Sequence, residues 1–256
     1  MWGYRELLFF LAWRDVKVRY RQTLLGVAWV WLQPLLTLVV LSAIFGRLLK
    51  VPSGDMPYPA FLFAALLPWN FFSSSVTRCV GNLVGSAHLI GKVYFPRLLI
   101  PLGTVAAGLV DLAVSLVLFV GLLSYYRIPL TWRLLLVPSA LLWLVAISLG
   151  VGLCLSALNV RYRDVGQALP VLMQTWLFAT PVIYGAESIP AKYRGIAALN
   201  PMAAPVEAFR SLLLGRGGRM PFSRWSLAAS LVSSALLLAI GVMAFRRVER
   251  TMADVV

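Results

Sequence analysis

The residues of this chain that could do chemistry are few, and most of them interrupt oily sequence. Asp111 stands alone in the run from Leu98 to Tyr126, which holds no other charge. A carboxylate in such a setting either takes up a proton or cation, or serves packing through a hydrogen bond to Ser or Thr on a neighbouring element. The other long uncharged runs offer no second charge to complete an ion site, which favours the packing role over an ion-coupled carrier. The stretch LNVRYRDV, Leu158 to Val165, sets Arg161, Arg163 and Asp164 between two uncharged runs and is too short to fold by itself. His88 is the single histidine, so neither an H-E-x-x-H zinc motif nor a multi-histidine cluster exists. The chain also lacks the G-x-S-x-G of a serine hydrolase and the G-x-x-x-x-G-K-[ST] phosphate cradle. The expectation is a chain with no catalytic residues, no metal and no cofactor of its own.

Aromatic rings recur beside isolated amides: Trp29 and Trp31 with Gln33, Trp69 and Phe72 with Asn70, Trp176 and Tyr184 with Gln174. Flat apolar faces beside hydrogen-bonding groups suit a sugar chain, with its C–H-rich faces and hydroxyl edges. Trp29, Gln33, Trp69, Asn70, Phe72, Trp176 and Tyr184 are therefore candidates to line a path. A Trp/Tyr belt at the two membrane surfaces accounts for the same pattern.

The elements that must hold these groups follow from composition. Of 256 residues, 61% are hydrophobic and 12% charged, against about half and a quarter in soluble domains. Uncharged runs extend over Gln22 to Gly46, Met56 to Thr77, Leu134 to Val160, Val165 to Ala186 and Trp225 to Phe245, beside the run holding Asp111. Each reaches the ~20 residues that cross a ~30 Å hydrocarbon layer as a helix. No alternating pattern of a membrane barrel is present, and lipid requires backbone groups to be satisfied within the segment. The reading is an all-α integral membrane protein, one domain over 1–256, with six transmembrane helices at about 26–46, 57–78, 98–124, 134–158, 166–186 and 225–245.

Two further segments flank these spans. Residues 4–22 place Leu7, Leu8, Leu11 and Ala12 at helical spacing with Arg14, Lys17 and Arg21, as in an amphipathic interfacial helix. Between 187 and 215 the apolar run is too short to span and is broken by Pro201 and Pro205, which suggests a re-entrant helical pair. The first span is too long for a signal peptide and is expected to remain in the product. The net charge of +14 sits at span ends, where it meets phospholipid headgroups, so nucleic acid is not an expected partner. With both termini on one side, that side collects thirteen Lys/Arg against ten on the other, a small margin for cytoplasmic termini. Six of the ten fall between Lys192 and Arg224, Arg194 and Arg210 among them, and are candidates to meet an anionic substrate or outer headgroups. Cys79 and Cys154 show no ligand-like spacing.

The stretches RYRQTLLGVAWVWLQPLL, LLPWNFFSSSVTRCVGNLVGSAHLIGKVYFPRLLIPL, LNVRYRDV and TPVIYGAESIPAKYRGIAALNPMAAPVEAFRSLLLG, in that order from about Glu6 to Arg247, resemble the membrane-spanning permeases of ATP-binding-cassette exporters for polysaccharides and polyol phosphates. The resemblance implies a homodimer in the cytoplasmic membrane with both termini cytoplasmic. It also implies two copies of a separate subunit that binds ATP and Mg, and a polyprenyl-diphosphate-linked glycan as substrate. Short cytoplasmic connections would then dock on the ATPase: Arg161, Tyr162, Arg163 and Asp164 as one patch, and the segment with Asn82, Gly85, Ser86, His88, Leu89 and Lys92 as the other. Arg14, Arg19 and Arg21 become candidates for the lipid diphosphate. Exporters of drugs or small lipids, an ion-coupled carrier using Asp111, and a membrane enzyme acting on a lipid-linked sugar are the competing functions.

Overall fold

The computed structural model describes residues 4–20, 28–85, 95–215 and 224–249. They are helical, with no strand among them: α1 (Arg5–Tyr20), α2 (Ala28–Leu41), α3 (Tyr58–Gly85), α4 (Leu99–Tyr125), α5 (Val137–Arg161), α6 (Asp164–Ala179), α7 (Arg194–Ala198), α8 (Ala203–Leu214) and α9 (Arg224–Glu249). α2 runs on into a π-helical segment, Ser42–Leu48, whose wider turns let Leu49 and Val51 donate back to the carbonyls of Ile44 and Phe45.

Five of these helical segments are long and apolar enough to cross a membrane: Trp31–Leu48, Tyr58–Leu83, Leu99–Tyr125, Trp132–Arg161 and Leu227–Glu249. The chain is a multi-pass membrane protein. The run expected to span at 166–186 is helical only over Asp164–Ala179, 16 residues, or about 24 Å at 1.5 Å per residue. It stops because Thr180 precedes Pro181: the ring disfavours helical angles for the residue before it, and Thr180 is extended (φ −99°, ψ 140°).

α3 is the axis of the bundle. It packs against α4, α5 and α8, and 78% of its span is buried, against 6% for the first span. α8 is likewise interior, with all but one of its residues buried. α1 lies along α4, and Leu11 is buried there with its Cβ over Gly103. Leu7, Leu8 and Ala12 are half-buried on that side, so the apolar residues expected to face lipid turn partly toward the bundle. The outward face carries Phe9, Phe10 and Trp13 instead.

α5 and α9 run parallel at backbone contact. A Cβ on Gly241 would stand 2.4 Å from the Gly150 carbonyl oxygen, and one on Gly150 would stand 2.8 Å from the Leu238 nitrogen. Trp143 Nε1 donates to Ser234 Oγ at 2.8 Å two turns along the same seam. Small residues let helix backbones approach where no hydrophobic force drives them together. Gly241→Val should therefore push the helices apart at a cost of about 1–3 kcal/mol, read as a lower melting temperature of the detergent-solubilised chain. Gly121→Ala, where a Cβ meets nothing within 4 Å, should melt no lower than the parent.

Candidate functional site

One end of the bundle gathers groups from five helices. Leu83 of α3, Leu98 just before α4, Ile100 in it, Leu153 and Val160 of α5 and Phe245 of α9 form a buried cluster there. Arg97 ties the start of α4 to the end of α9, its backbone N–H donating to Glu249 Oε1 at 3.1 Å. Asp15 of α1 enters the same region: its Oδ2 accepts from Asn82 Nδ2 at 2.9 Å and from Thr104 Oγ1 at 3.1 Å, and Asn82 also donates to Thr104 Oγ1 at 2.9 Å. Asp15 Oδ1 accepts from Arg14. The first helix is thus pinned through hydrogen bonds to α3 and α4.

At this end Arg161, Tyr162, Arg163 and Asp164 are all exposed. They form the connection between α5 and α6, with only Tyr162 and Arg163 outside helix. So tight a reversal needs its own fastening. The buried Asn159 side chain provides it by accepting the Gly166 N–H at 2.8 Å, while Tyr162 and Val165 close turns onto Leu158 and Tyr162 carbonyls. Arg161 ends one helix and Asp164 opens the next, each complementing the helix dipole. The Arg161 guanidinium lies 5.6 Å from the Tyr162 ring centroid. The result is a stiff, charged, solvent-facing knuckle. Asn82 is half-buried and Gly85 exposed at the neighbouring end of α3. Arg21, Ser86, His88, Leu89 and Lys92 lie outside the described residues, and of Arg19 and Trp29 only the helix is described.

The aromatic residues separate into two settings. Trp69, Phe72 and Trp176 meet edge to face, with Phe72 and Trp176 centroids 5.2 Å apart and Trp69 and Trp176 6.4 Å apart. Trp69 and Phe72 are buried, so rings expected to line a path are packed inside the single chain; they would touch a passing molecule only if α3 and α6 part. Asn70 and Tyr184 are half-buried, and the Tyr184 hydroxyl donates to the Phe178 carbonyl at 3.1 Å. Gln33 is exposed on α2.

Sequence reasoning missed Asn200. Its Oδ1 accepts from Trp176 Nε1 and the Met202 N–H, both at 3.0 Å, and its Nδ2 donates to Thr180 Oγ1 at 2.9 Å. The N-P dipeptide marks a turn, but nothing in it points to Trp176.

Arg210 corrects a second expectation. Expected among basic groups that meet substrate or headgroups, it is 1% exposed. Its Nη1 donates to Glu207 Oε1 at 2.6 Å, and its Nη2 donates to the carbonyls of Pro181 and Val182 at 2.9 and 2.8 Å. The guanidinium lies 3.9 Å from the Phe61 ring centroid. Glu207 Oε1 also accepts the Ala186 N–H at 3.0 Å, and Tyr58 donates to the Ile183 carbonyl at 2.8 Å. Burial pushes the Glu207 carboxyl up and the Arg210 guanidinium down, and their contact opposes both shifts. Backbone that leaves the helix at Thr180 is paired by this knot, as low-dielectric surroundings demand.

Asp111 is held by Arg78 Nη1 at 2.8 Å, with both side chains partly exposed. The packing partner expected from Ser or Thr is thus a guanidinium of α3. Asp111 is therefore not a lone charge, which removes the main support for ion-coupled transport.

Residues 6–214 match the model of the ABC-2 type transporter family. The chain is 32% identical to an O-antigen export system permease protein RfbA of Myxococcus xanthus, over 93% of this chain and 91% of that one. It is 29% identical to a Klebsiella pneumoniae protein of the same name, over 98% and 95%, and 26% identical to the polysialic acid transport protein KpsM of Escherichia coli, over 78% of each.

Proposed function

This chain belongs to the ABC-2 type transporter family, and on that footing we propose that it is the transmembrane subunit of an exporter moving a lipid-linked, O-antigen-like polysaccharide across the cytoplasmic membrane. Energy comes from ATP hydrolysis on a separate subunit. Relatives named for O-antigen export cover 93% and 98% of the chain and one named for polysialic acid transport covers 78%, and this is the observation that carries the substrate class. It favours a glycan over a drug or small lipid.

In the working assembly two copies of this chain pair, with six crossings each, α6 and the bend after it counting as the fifth. Both termini are cytoplasmic. ATP and Mg bind the partner subunits, and this chain carries no cofactor. The exposed knuckle Arg161–Asp164 and the segment from Asn82 to Lys92 receive the ATPase. Closure of the nucleotide sites then moves the ends of α3 and α5 directly, because the reversal after α5 has no slack. Movement at that end opens the seam between α3 and α6, and bringing Trp69, Phe72 and Trp176 to the surface would give the sugar chain rings to slide over.

Co-expression with the ATPase subunit should yield a complex that survives affinity purification, and inverted vesicles bearing both should sequester lipid-linked glycan only with ATP. Transport by this chain alone under an ion gradient would overturn the proposal.

A further inference from the structure

The exposed faces of the spans differ in kind. α2 shows Leu35, Leu36, Val39 and Val40, α4 shows Val110, Val117 and Val120, and α9 shows Leu231, Val232, Leu236, Ile240 and Met243. These suit lipid. Among the described side chains of α3, the exposed ones are Thr77, Gly81 and Gly85, spaced four apart and so on one face. Half-buried Asn70, Ser74 and Arg78 extend that stripe within roughly 100° of the helix circumference. A Cβ added at Gly81 or Gly85 meets nothing within 4 Å. The most buried of the five spanning helices thus opens along a polar edge, and lipid gives such an edge no reason to exist.

A charge pair joins that edge to α4. Asp111 lies about 18 Å along α4 from Leu99 at 1.5 Å per residue, roughly halfway through a ~30 Å hydrocarbon layer. Arg78 reaches it from α3, and 35% of the Arg78 side chain stays exposed. Intramembrane charges are expensive and occur where something polar passes. A pair kept only for packing would be expected to be enclosed, as Glu207 and Arg210 are at 5% and 1%. This one is open.

We infer that Arg78, five residues from the Leu83 end of its span and reaching inward to Asp111, is a binding group for the diphosphate of the lipid-linked substrate, with Asp111 as the counter-ion it returns to. Guanidinium is the side chain best matched to phosphate oxygens, through paired N–H donors. Asp111 holds the cation neutral while the path is empty, so no uncompensated charge stands in the membrane. An arriving diphosphate displaces the carboxylate, and the carboxylate competes it off again, which keeps the site weak enough to release its cargo. The hydroxyls of Ser74, Thr77 and Ser115 donate to backbone carbonyls a turn away, which turns oxygen lone pairs outward as acceptors for sugar hydroxyls.

This inference rests on the export reading, but its test does not need the ATPase. The full-length chain in nanodiscs is titrated with farnesyl diphosphate, with inorganic diphosphate and with farnesol. Farnesyl diphosphate should bind at least about tenfold more tightly than either control. R78Q should weaken that binding by about tenfold or more, the scale of a lost charge-assisted contact, and R78K by less. D111N should tighten it by roughly threefold, because a competing anion is gone. Opposite signs for the two partners are what a purely structural pair cannot give. The inference is overturned if R78Q leaves affinity unchanged, if R78Q and D111N both weaken it, or if inorganic diphosphate binds as well as the prenyl ester. Melting curves of each variant identify loss of fold, and R78K then carries the comparison. Failure to capture an ATPase subunit would remove the export reading and leave this titration standing.

Discussion

Replacing Arg210 with methionine should cost the protein about 3–5 kcal/mol, the penalty for stripping one partner from a buried ion pair. Methionine reaches only as far as Nε of the arginine but fills most of its volume, so the effect is chiefly the loss of charge, hydrogen bonding and the guanidinium on the Phe61 ring. Three acceptors each lose a donor at once: Glu207 Oε1, which keeps only the Ala186 N–H, and the carbonyls of Pro181 and Val182. At a size above 200 residues this corresponds to a fall of roughly 10 °C in melting temperature, measurable by tryptophan fluorescence in detergent. Arg210→Lys should fall between, since an ammonium keeps the charge but cannot serve the carboxylate and both carbonyls from one planar fork. Glu207→Gln should be milder than Arg210→Met, because an amide oxygen still accepts from the Ala186 N–H. A methionine variant that melts with the parent would remove the account of how the chain tolerates its bend after α6.

Changing Arg161, Tyr162, Arg163 and Asp164 together to alanine should leave the fold intact and uncouple the transporter. All four side chains are exposed, and the reversal is fastened by Asn159 and by backbone hydrogen bonds that alanine retains. If Arg161 and Tyr162 act as hot spots, losing about 2 kcal/mol weakens capture of the ATPase subunit by about thirtyfold. Export should fall in step. Asn159→Ala is the informative companion, since it keeps every contact residue but loosens the reversal. It should spare subunit binding while lowering the glycan moved per ATP consumed. Undiminished export by the quadruple variant would mean that the ATPase grips elsewhere.

The spanning helices were legible because lipid excludes charge, so uncharged runs bracketed by arginine report crossings directly. The helix in the run at 166–186 is shorter than its composition suggests, because the sequence stays apolar past the point where Pro181 ends the helix. That signal was present in the sequence, since proline constrains its predecessor whatever the hydropathy. The knuckle at Arg161–Asp164 was readable as an exposed interruption, but its rigidity was not, because the Asn159 cap is a matter of rotamer and distance. Arg210 was the clearest failure. Its i,i+3 partner Glu207 was visible in the sequence, but the carbonyls about 30 positions away and the phenylalanine on another helix that enclose the pair were not. Long-range pairings of this sort, Arg78 with Asp111 among them, leave no periodicity to detect.

The close seam between Gly150 and Gly241 has a mechanical corollary. Two rods whose backbones touch cannot slide or roll past one another, so α5 and α9 act as a single plank. Their parallel course brings Arg161 and Glu249 to the same edge of it, and Arg97 hooks that edge to the base of α4. A stroke delivered at the knuckle is therefore felt at the far tail of the chain, and a spectroscopic reporter near Glu249 would clock each cycle without touching the docking patch.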